Sequence, residues 1–275
     1  MWVAAFKLPS AAVPAPLVAR LELAELCADL YEGAPGRDAR HLYGGQLVAQ
    51  ALRAAMATST GGLEAHSLHA HFLAAGAGDR PVRYRVERTR DGGSFATRRV
   101  VADQGDERIF LLTASFHRPE SGEEHQTALA DWAGRPDELP KGRYSSREID
   151  SRDVPEVFTD TRGGPRRGQW SRVRGELPAD PDLHRVAIAW ISDQGSTRAA
   201  RQPHADHPGV EQRMSVSLDH SVWFHRHARA DEWLFTELKA VSTSAARGLA
   251  IGTIHDMDGR LVASVAQEVV LRLPG

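Results

Sequence analysis

The feature that most constrains the fold of this chain is an internal repeat with a very long period. Ser67-Leu68, in the string HSLHAHFL, recurs as Ser217-Leu218, in SLDHSVWF, at an offset of 150 residues. Arg108, in RIFLLTASF, matches Arg260, in RLVASVAQE, at an offset of 152. Such a period is too long for a solenoid built from short repeats. The pattern predicts one unit of about 100 residues that has been duplicated within the chain.

The stretch between the two copies has a different character. From Arg118 to Trp170, glycine, proline and charged residues dominate, and apolar periodicity disappears. A stretch this long without structure is unusual inside one compact domain, so it predicts a linker. The expected organisation is an N-terminal repeat at 1–118, a linker at 119–169 and a C-terminal repeat at 170–275.

Both copies show the same order of elements. A helical pattern comes first, in YGGQLVAQALRAAMATS of the first copy and DLHRVAIAWISDQGS of the second, where Asp182 after Pro181 is a candidate N-cap. Alternating strand patterns separated by turn residues follow in each copy. Two tandem repeats of this kind predict an α+β fold, a double hot-dog, in which a curved antiparallel sheet wraps around a central helix in each repeat.

Composition limits the classes of function. Hydrophobic residues make up 41% and charged residues 25% of the 275 residues, and the formal net charge of −2 gives no electrostatic reason to bind nucleic acid or an anionic membrane. The lone Cys27 can form neither an internal disulfide nor a thiolate metal site. The sequence contains neither an apolar stretch long enough to span a membrane nor a secretory signal, which favours a cytoplasmic location.

Common catalytic and cofactor motifs are also missing from the sequence. It lacks a G-x-S-x-G nucleophile elbow, a Walker motif and a dinucleotide fingerprint. His66, His69 and His71 cluster on one predicted strand, but no acidic or cysteine residue accompanies them in a known metal-binding pattern. We therefore expect no metal and no cofactor.

Seven strings, in order, resemble one known family: YGGQLVAQAL, HSLHAHFL, RDGGSFATRRVVADQ, TASFH, SLDHSVWFH, ARG and DGRLVASVAQE. Together they resemble the acyl-CoA thioesterases of the type II, double hot-dog group, from about Leu42 to Arg272 without the linker. The resemblance implies hydrolysis of a fatty acyl-CoA to free acid and coenzyme A. It also implies a homo-oligomer that needs neither a metal nor a redox cofactor.

The resemblance further implies which residues form the site, all in the C-terminal repeat. An Asp, a hydroxyl residue and a Gln hold and activate a water in that family, and they match Asp193 in AWISDQG, Ser217 in VSLDHS and Gln267 in SVAQEVV. Three further residues are candidate substrate contacts: Arg247 and Gly248 in the string ARG, and His66, for which polar packing on the sheet is an equal alternative.

Asp193 and Gln267 also stand out without the resemblance. Asp193 shares a helix face with Val186 and Trp190, so its carboxylate needs a partner or a raised pKa, although a role as a helix C-terminal cap remains open. Gln267 is the one polar residue among the alternate positions from Leu261 to Leu271, where it needs hydrogen bonds from water or backbone.

Ser217 has weaker support from its own strand. Simple alternation places it on the polar side of the strand with Ser215 and Ser221, away from the core, unless a bulge or a subunit contact intervenes. The equivalent of Gln267 in the first repeat is expected to be Ser115, and the first helix offers no carboxylate. One active set per chain is therefore expected.

Two alternatives remain open at this point. One is a non-catalytic acyl-CoA-binding hot-dog protein, to which the polar string SDQGSTRAARQP after the aspartate lends weight. The other is an acyl-CoA hydratase or dehydratase of the same fold, which would require a catalytic His and a carboxylate near a helix start. Neither predicted helix begins with such a pair.

Overall fold

The structure, a computed structural model, describes residues 15–36, 41–59, 61–155, 158–160, 164–207 and 214–272. Its helices are α1 (Val18–Leu21), α2 (Gly44–Ala57), α3 (Pro181–Ser192) and α4 (Ser196–Arg201), with short 3₁₀ turns at Asp131–Ala133 and Gln202–His204. Its strands are β1 (Leu23–Cys27), β2 (Leu30–Gly33), β3 (Glu64–Phe72), β4 (Val82–Asp91), β5 (Phe95–Gln104), β6 (Glu107–His117), β7 (Ile149–Asp153), β8 (Phe158–Asp160), β9 (Gly164–Val173), β10 (Met214–Ser217), β11 (Asp219–Phe224), β12 (Leu234–Ser244), β13 (Arg247–Asp256) and β14 (Leu261–Arg272).

The strands of the described residues form one antiparallel sheet that runs through both repeats. Its order is β1-β2-β4-β5-β6-β3-β11-β14-β13-β12-β9-β7, with β10 also paired to β14 and β8 to β9. The two repeats meet at the centre, where β3 pairs with β11 and Ser221 lies opposite His69. Within each half, β4-β5-β6 and β12-β13-β14 pair in sequence order as antiparallel meanders, whereas β3 and β11 pair with the last strand of their own repeat, β6 and β14.

The two long helices share the inner face of this sheet. Alanines supply much of the buried surface of α2, so its backbone lies close to β3–β6. The N-terminus of α2 meets the C-terminus of α3: the ring of Tyr43 lies 5.2 Å from that of Trp190, and the Tyr43 hydroxyl donates to the Trp190 carbonyl oxygen at 2.9 Å. The architecture is the expected double hot-dog. No helix among the described residues is long and apolar enough to span a membrane.

The expected linker at 119–169 is not uniformly unstructured. Strands β7 and most of β9 fall inside it, and β9 pairs with both β7 and β12. Trp170 on β9 is buried against Phe235, and its indole N–H donates to the Ala133 carbonyl oxygen at 2.9 Å. The arginines and glycines of β9 hide its strand pattern, because this edge region buries polar side chains such as Gln169. The three-part division of the chain itself stays a prediction.

The N-cap of α3 also differs from the expectation. Asp180, not Asp182, precedes the helix, and its Oδ1 accepts the Asp182 backbone N–H at 3.0 Å. Pro181 then occupies the first helical position, which it favours because that position needs no N–H donor. The Asp182 side chain instead accepts from Arg185 one turn later, at 2.8 Å.

Candidate active site

Asp193 lies where the C-terminus of α3 meets the N-terminus of α2. It is the C-cap residue of α3, and the backbone N–H of Gly45 hydrogen-bonds to its carboxylate. A Cβ built at Gly44 would lie 2.8 Å from Asp193 Oδ2 and 3.0 Å from the ring of Phe72. The first turn of a helix presents unpaired N–H donors and a partial positive charge. The glycine pair therefore lets this electropositive end approach the carboxylate closely.

Burial raises the pKa of Asp193 to about 7, although hydrogen bonds from Gln267 and from the Gly45 backbone oppose the rise. Desolvation disfavours the charged form of a carboxyl group. Asp193 Oδ1 is inaccessible and has no hydrogen-bond partner among the described residues. A carboxyl group that titrates near neutral pH and keeps one oxygen unpaired is suited to accept a proton.

Gln267 joins Asp193 to Ser217. Its side chain is only 1% exposed, on the inner face of β14, as the alternating pattern predicted. Its Nε2 donates to Ser217 Oγ at 2.6 Å, and the same amide interacts with the Asp193 carboxylate. The structure thus brings together the three residues that the resemblance implied.

A break in the strand gives Ser217 its orientation. Ser217 pairs with Val269 at the end of β10, whereas Ser221 pairs with Ala266 on β11, so the register shifts between them. At the break, Asp219 Oδ1 accepts the backbone N–H of Glu268 at 2.8 Å. A bulge of this kind re-aims side chains relative to simple alternation. Ser217 therefore faces Gln267, which resolves the conflict seen in the sequence.

His220 is a site residue that the sequence analysis missed. It is 0% exposed, and its Nε2 lies 2.8 Å from Ser192 Oγ, one residue before Asp193. Burial lowers the pKa of His220 to about 4, and its interaction with Gln267 opposes that shift. The ring is therefore neutral near pH 7. The sequence contained one signal for His220: it stands two residues before Val222, so strand alternation places it on the same buried face.

The three candidate substrate contacts lie elsewhere. His66 is on the outer face of the sheet, at the far end of β3 from Phe72, and its Nε2 lies 2.8 Å from Ser115 Oγ. This is the polar sheet packing given as the alternative. Arg247 is exposed and its Nε donates to Glu268 at 2.9 Å. A Cβ on Gly248 would lie 2.6 Å from Leu271 Cδ1, so that glycine serves close packing.

The first repeat differs at the corresponding end of its helix. The expectation that Ser115 takes the place of Gln267 is wrong, because Ser115 faces outward and its neighbours Ala114 and Phe116 face inward. Thr58 is the C-cap of α2, at the position that Asp193 occupies on α3. Arg98, 1% exposed, fills the space beside it and donates to Thr58 Oγ1 at 2.8 Å and to the Thr58 carbonyl oxygen at 3.0 Å.

Arg98 therefore predicts a stability effect that is separate from activity. We expect Arg98→Met to lower the free energy of unfolding by about 3 kcal/mol, because Thr58 and two backbone carbonyl groups lose a buried donor. Chemical denaturation measures the loss, and kcat measured well below the melting temperature should stay within a factor of about two. A large fall in kcat with unchanged stability would contradict this structural role.

Within the described ranges, no group of three or more His, Cys, Asp or Glu side chains could hold a metal ion.

Comparisons with known proteins agree across both halves of the chain. The family described as "Acyl-CoA thioesterase" matches residues 144–270, and "Acyl-CoA thioesterase N-terminal domain" matches residues 34–117. The chain is 34% identical to acyl-coenzyme A thioesterase 8 of Rattus norvegicus, over 92% of this chain and 87% of that protein. It is 32% identical to acyl-CoA thioesterase 2 of Haemophilus influenzae, over 85% and 88% respectively.

A solved structure agrees with these sequence relatives. The acyl-CoA thioesterase II TesB2 of Mycobacterium marinum superimposes with a TM-score of 0.85 at 38% identity, covering 94% of this chain and 99% of that one. A match over 94% of this chain includes both repeats. This chain belongs to the acyl-CoA thioesterase II family.

Proposed function

We propose that this chain hydrolyses acyl-CoA thioesters to free fatty acid and coenzyme A through direct attack by a water that Asp193 activates. The observation that carries the mechanism is the buried Asp193 carboxylate, with a pKa of about 7, in contact with both Gln267 and the N-terminus of α2. Thioester hydrolysis itself follows from membership of the family, whose relatives match along most of the chain.

In the proposed reaction, Asp193 accepts a proton from a water while the water oxygen bonds to the thioester carbonyl carbon. The carbonyl π electrons move onto oxygen to give a tetrahedral oxyanion. When that oxyanion collapses, the carbon–sulfur bond breaks and the coenzyme A sulfur takes the proton from Asp193. Asp193 is then again a carboxylate, and general base catalysis of this type contributes about 10²- to 10⁴-fold in rate.

The oxyanion requires donors that already point at it. The first turn of α2 begins with Gly44 and Gly45, whose backbone N–H groups have no partner inside the helix. The Gly45 N–H already hydrogen-bonds to Asp193, so we assign oxyanion stabilisation to the Gly44 N–H and to the positive end of the helix dipole beside it. Gln267 and Ser217, linked at 2.6 Å, hold the water and the carboxylate in register.

The two other functions fit the site less well. A hydratase requires a His and a carboxylate near a helix start, and α2 begins with Gly44-Gly45 instead. Contrary to the expectation from the sequence, the first turn of α3 does contain Asp182 and His184. However, the Asp182 side chain is paired to Arg185, and His184 Nδ1 accepts the backbone N–H of Ala230 at 3.1 Å. A non-catalytic binder has no need of a buried carboxyl group that titrates near neutrality. Both alternatives predict that an acyl-CoA is bound without release of free thiol.

Free-thiol release across a panel of acyl-CoA chain lengths tests the proposal. We expect the purified chain to release one coenzyme A thiol for each fatty acid formed, with at least one chain length turned over rapidly. Loss of the enoyl absorbance without thiol would indicate a hydratase. Saturable binding without any product would indicate a binder, and either result would overturn the proposed hydrolysis.

We also propose that the enzyme acts on the cytoplasmic acyl-CoA pool of fatty acid metabolism, as a homo-oligomer without nucleic acid partners. Exposed apolar side chains on the outer face of the sheet, including Trp223 and Ile251, support self-association. Light scattering coupled to size-exclusion chromatography should give a mass that is a multiple of the 30.1 kDa chain. A monomer at micromolar concentration would contradict this part of the proposal.

A further inference from the structure

His220 and Gln267 are neighbours on adjacent strands of the sheet. Ser221 on β11 pairs with Ala266 on β14, so His220 and Gln267 follow as neighbours across the same two strands. Both side chains are buried on the inner face. On its other side, the His220 ring reaches Ser192 Oγ at 2.8 Å. His220 thus connects the last residue of α3 to the amide that contacts Asp193.

The nitrogen and the oxygen of the Gln267 side-chain amide have different neighbours, and these neighbours determine which way the amide points. Its Nε2 donates to Ser217 Oγ at 2.6 Å and faces the Asp193 carboxylate, whose oxygens, when the group is ionised, only accept hydrogen bonds and cannot donate to the amide oxygen. The amide oxygen of Gln267 and Nδ1 of His220 are both buried without a hydrogen-bond partner among the described residues, so each is available to the other. The Gln267 interaction also raises the pKa of the ring, as an acceptor oxygen would. A neutral His carries one N–H, so a donor at Nδ1 makes Nε2 an acceptor. The Ser192 hydroxyl, which also lies 2.9 Å from the Ala189 carbonyl oxygen, then directs its single proton to the ring.

Rotation of the Gln267 amide by 180° would remove hydrogen bonds that the site requires. Its oxygen would then face the oxygen of the Asp193 carboxylate, and its nitrogen would face the ring N–H of His220. Asp193 would lose a hydrogen bond that supports its ionised form, and the Ser217 hydroxyl would no longer accept from Gln267. Which way the amide points therefore decides whether the carboxylate and the hydroxyl are held for catalysis.

We infer that His220 is a positioning residue, which donates from Nδ1 to the amide oxygen of Gln267 and thereby directs the amide nitrogen toward Asp193 and Ser217. Ser192 completes the arrangement by holding the ring from the other side. This inference rests on the proposed function, because it assigns His220 an effect only through Gln267. His220 touches neither the water nor the thioester in this arrangement.

Three substitutions at this position separate orientation from simple packing. His220→Leu removes both ring nitrogens, His220→Asn places an amide N–H near the position of Nδ1, and His220→Gln reaches toward Ser192 instead. We expect His220→Leu to lower kcat about 100-fold with little change in KM, because a misplaced group near the reacting atoms costs about that much. His220→Asn should recover most of the lost kcat, and His220→Gln should not.

A buried histidine away from the site serves as the control. His255 is 1% exposed on β13, and its Nε2 lies 3.1 Å from the Thr127 carbonyl oxygen. We expect His255→Leu to lower stability without lowering kcat in the folded fraction. If His220→Leu does not fold, the comparison of His220→Asn with His220→Gln still decides the question: equal kcat in these two variants would overturn the inference.

A double-mutant cycle with Gln267→Ala distinguishes failure of this inference from failure of the proposed function. We expect Gln267→Ala alone to lower kcat, and His220→Gln to add no further loss in that background. Fully additive losses would show that His220 does not act through Gln267 and would overturn the inference alone. A wild-type kcat for Gln267→Ala would instead overturn the proposed function, and this inference with it.

Discussion

Asp193→Asn is expected to lower kcat for acyl-CoA hydrolysis about 10²- to 10⁴-fold, the usual contribution of a general base. Asparagine has the same shape as aspartate but cannot accept a proton from water. KM should change little, because the interaction is made with the attacking water rather than with the bound thioester. Steady-state release of free thiol measures both parameters.

The same substitution should make the protein more stable above neutral pH. The pKa of Asp193 is about 7 in the fold against an ordinary value of 3.8, so the fold favours its protonated form. The stabilisation that the fold gains from the protonated Asp193 side chain is largest below about pH 4, declines as the pH rises, and is fully lost above pH 7. At 1.36 kcal/mol for each pKa unit, the ionised carboxylate costs the fold roughly 4 kcal/mol at high pH.

Thermal unfolding at several pH values tests this second effect. The Asn variant should melt above the wild type at pH 8, and the gap should narrow toward pH 4.5. Asp137→Asn, at an exposed ion pair with Arg135, is the matched control and should show neither effect. Near-wild-type turnover by Asp193→Asn, or a melting temperature below the wild type at pH 8, would contradict the assignment.

Gly45→Ala is the second change for which we expect a large effect. An added Cβ would lie 2.5 Å from the Trp190 carbonyl oxygen and 2.5 Å from the Tyr43 ring. A backbone oxygen cannot rotate away, so the N-terminus of α2 must shift relative to α3. The Gly45 N–H would then leave Asp193, and the oxyanion donor would move with it. We expect kcat to fall about 100-fold.

The direction of the stability change makes the Gly45→Ala result informative. In an ordinary helix, glycine to alanine is stabilising by about 1 kcal/mol, whereas overpacking at this position should destabilise by about 1–3 kcal/mol. Gly93→Ala is the control, because a Cβ there meets nothing within 4 Å. A Gly45→Ala protein with wild-type kcat and higher stability would show that the two helix ends need not approach closely.

Much of this architecture could be predicted from residue patterns. The duplicated order of helix and strands predicts the double hot-dog, and the apolar alternation around Gln267 correctly places that amide on the inner face. Asp193 follows from helical spacing with Trp190. These predictions succeed because they depend on local periodicity, which neighbouring repeats preserve.

The remaining features depend on register and on contacts between distant residues. The bulge after Ser217 reverses the face that simple alternation assigns to it. The repeat offset drifts between 150 and 152, and a slip of one residue moves a side chain to the other face, which is why Ser115 was misassigned. The need for glycine at position 45 becomes visible only beside the Trp190 carbonyl oxygen, which is distant in sequence.

The pH dependence of kcat/KM tests the central claim most directly, because it reports the ionisation of the free enzyme's catalytic base. For the wild type we expect log kcat/KM to rise with a slope of one and to level off above an apparent pKa near 7, the value that burial gives Asp193. Asp193→Asn should retain only slow hydrolysis without that inflection. An unchanged inflection near pH 7 in the variant would show that another group activates the water.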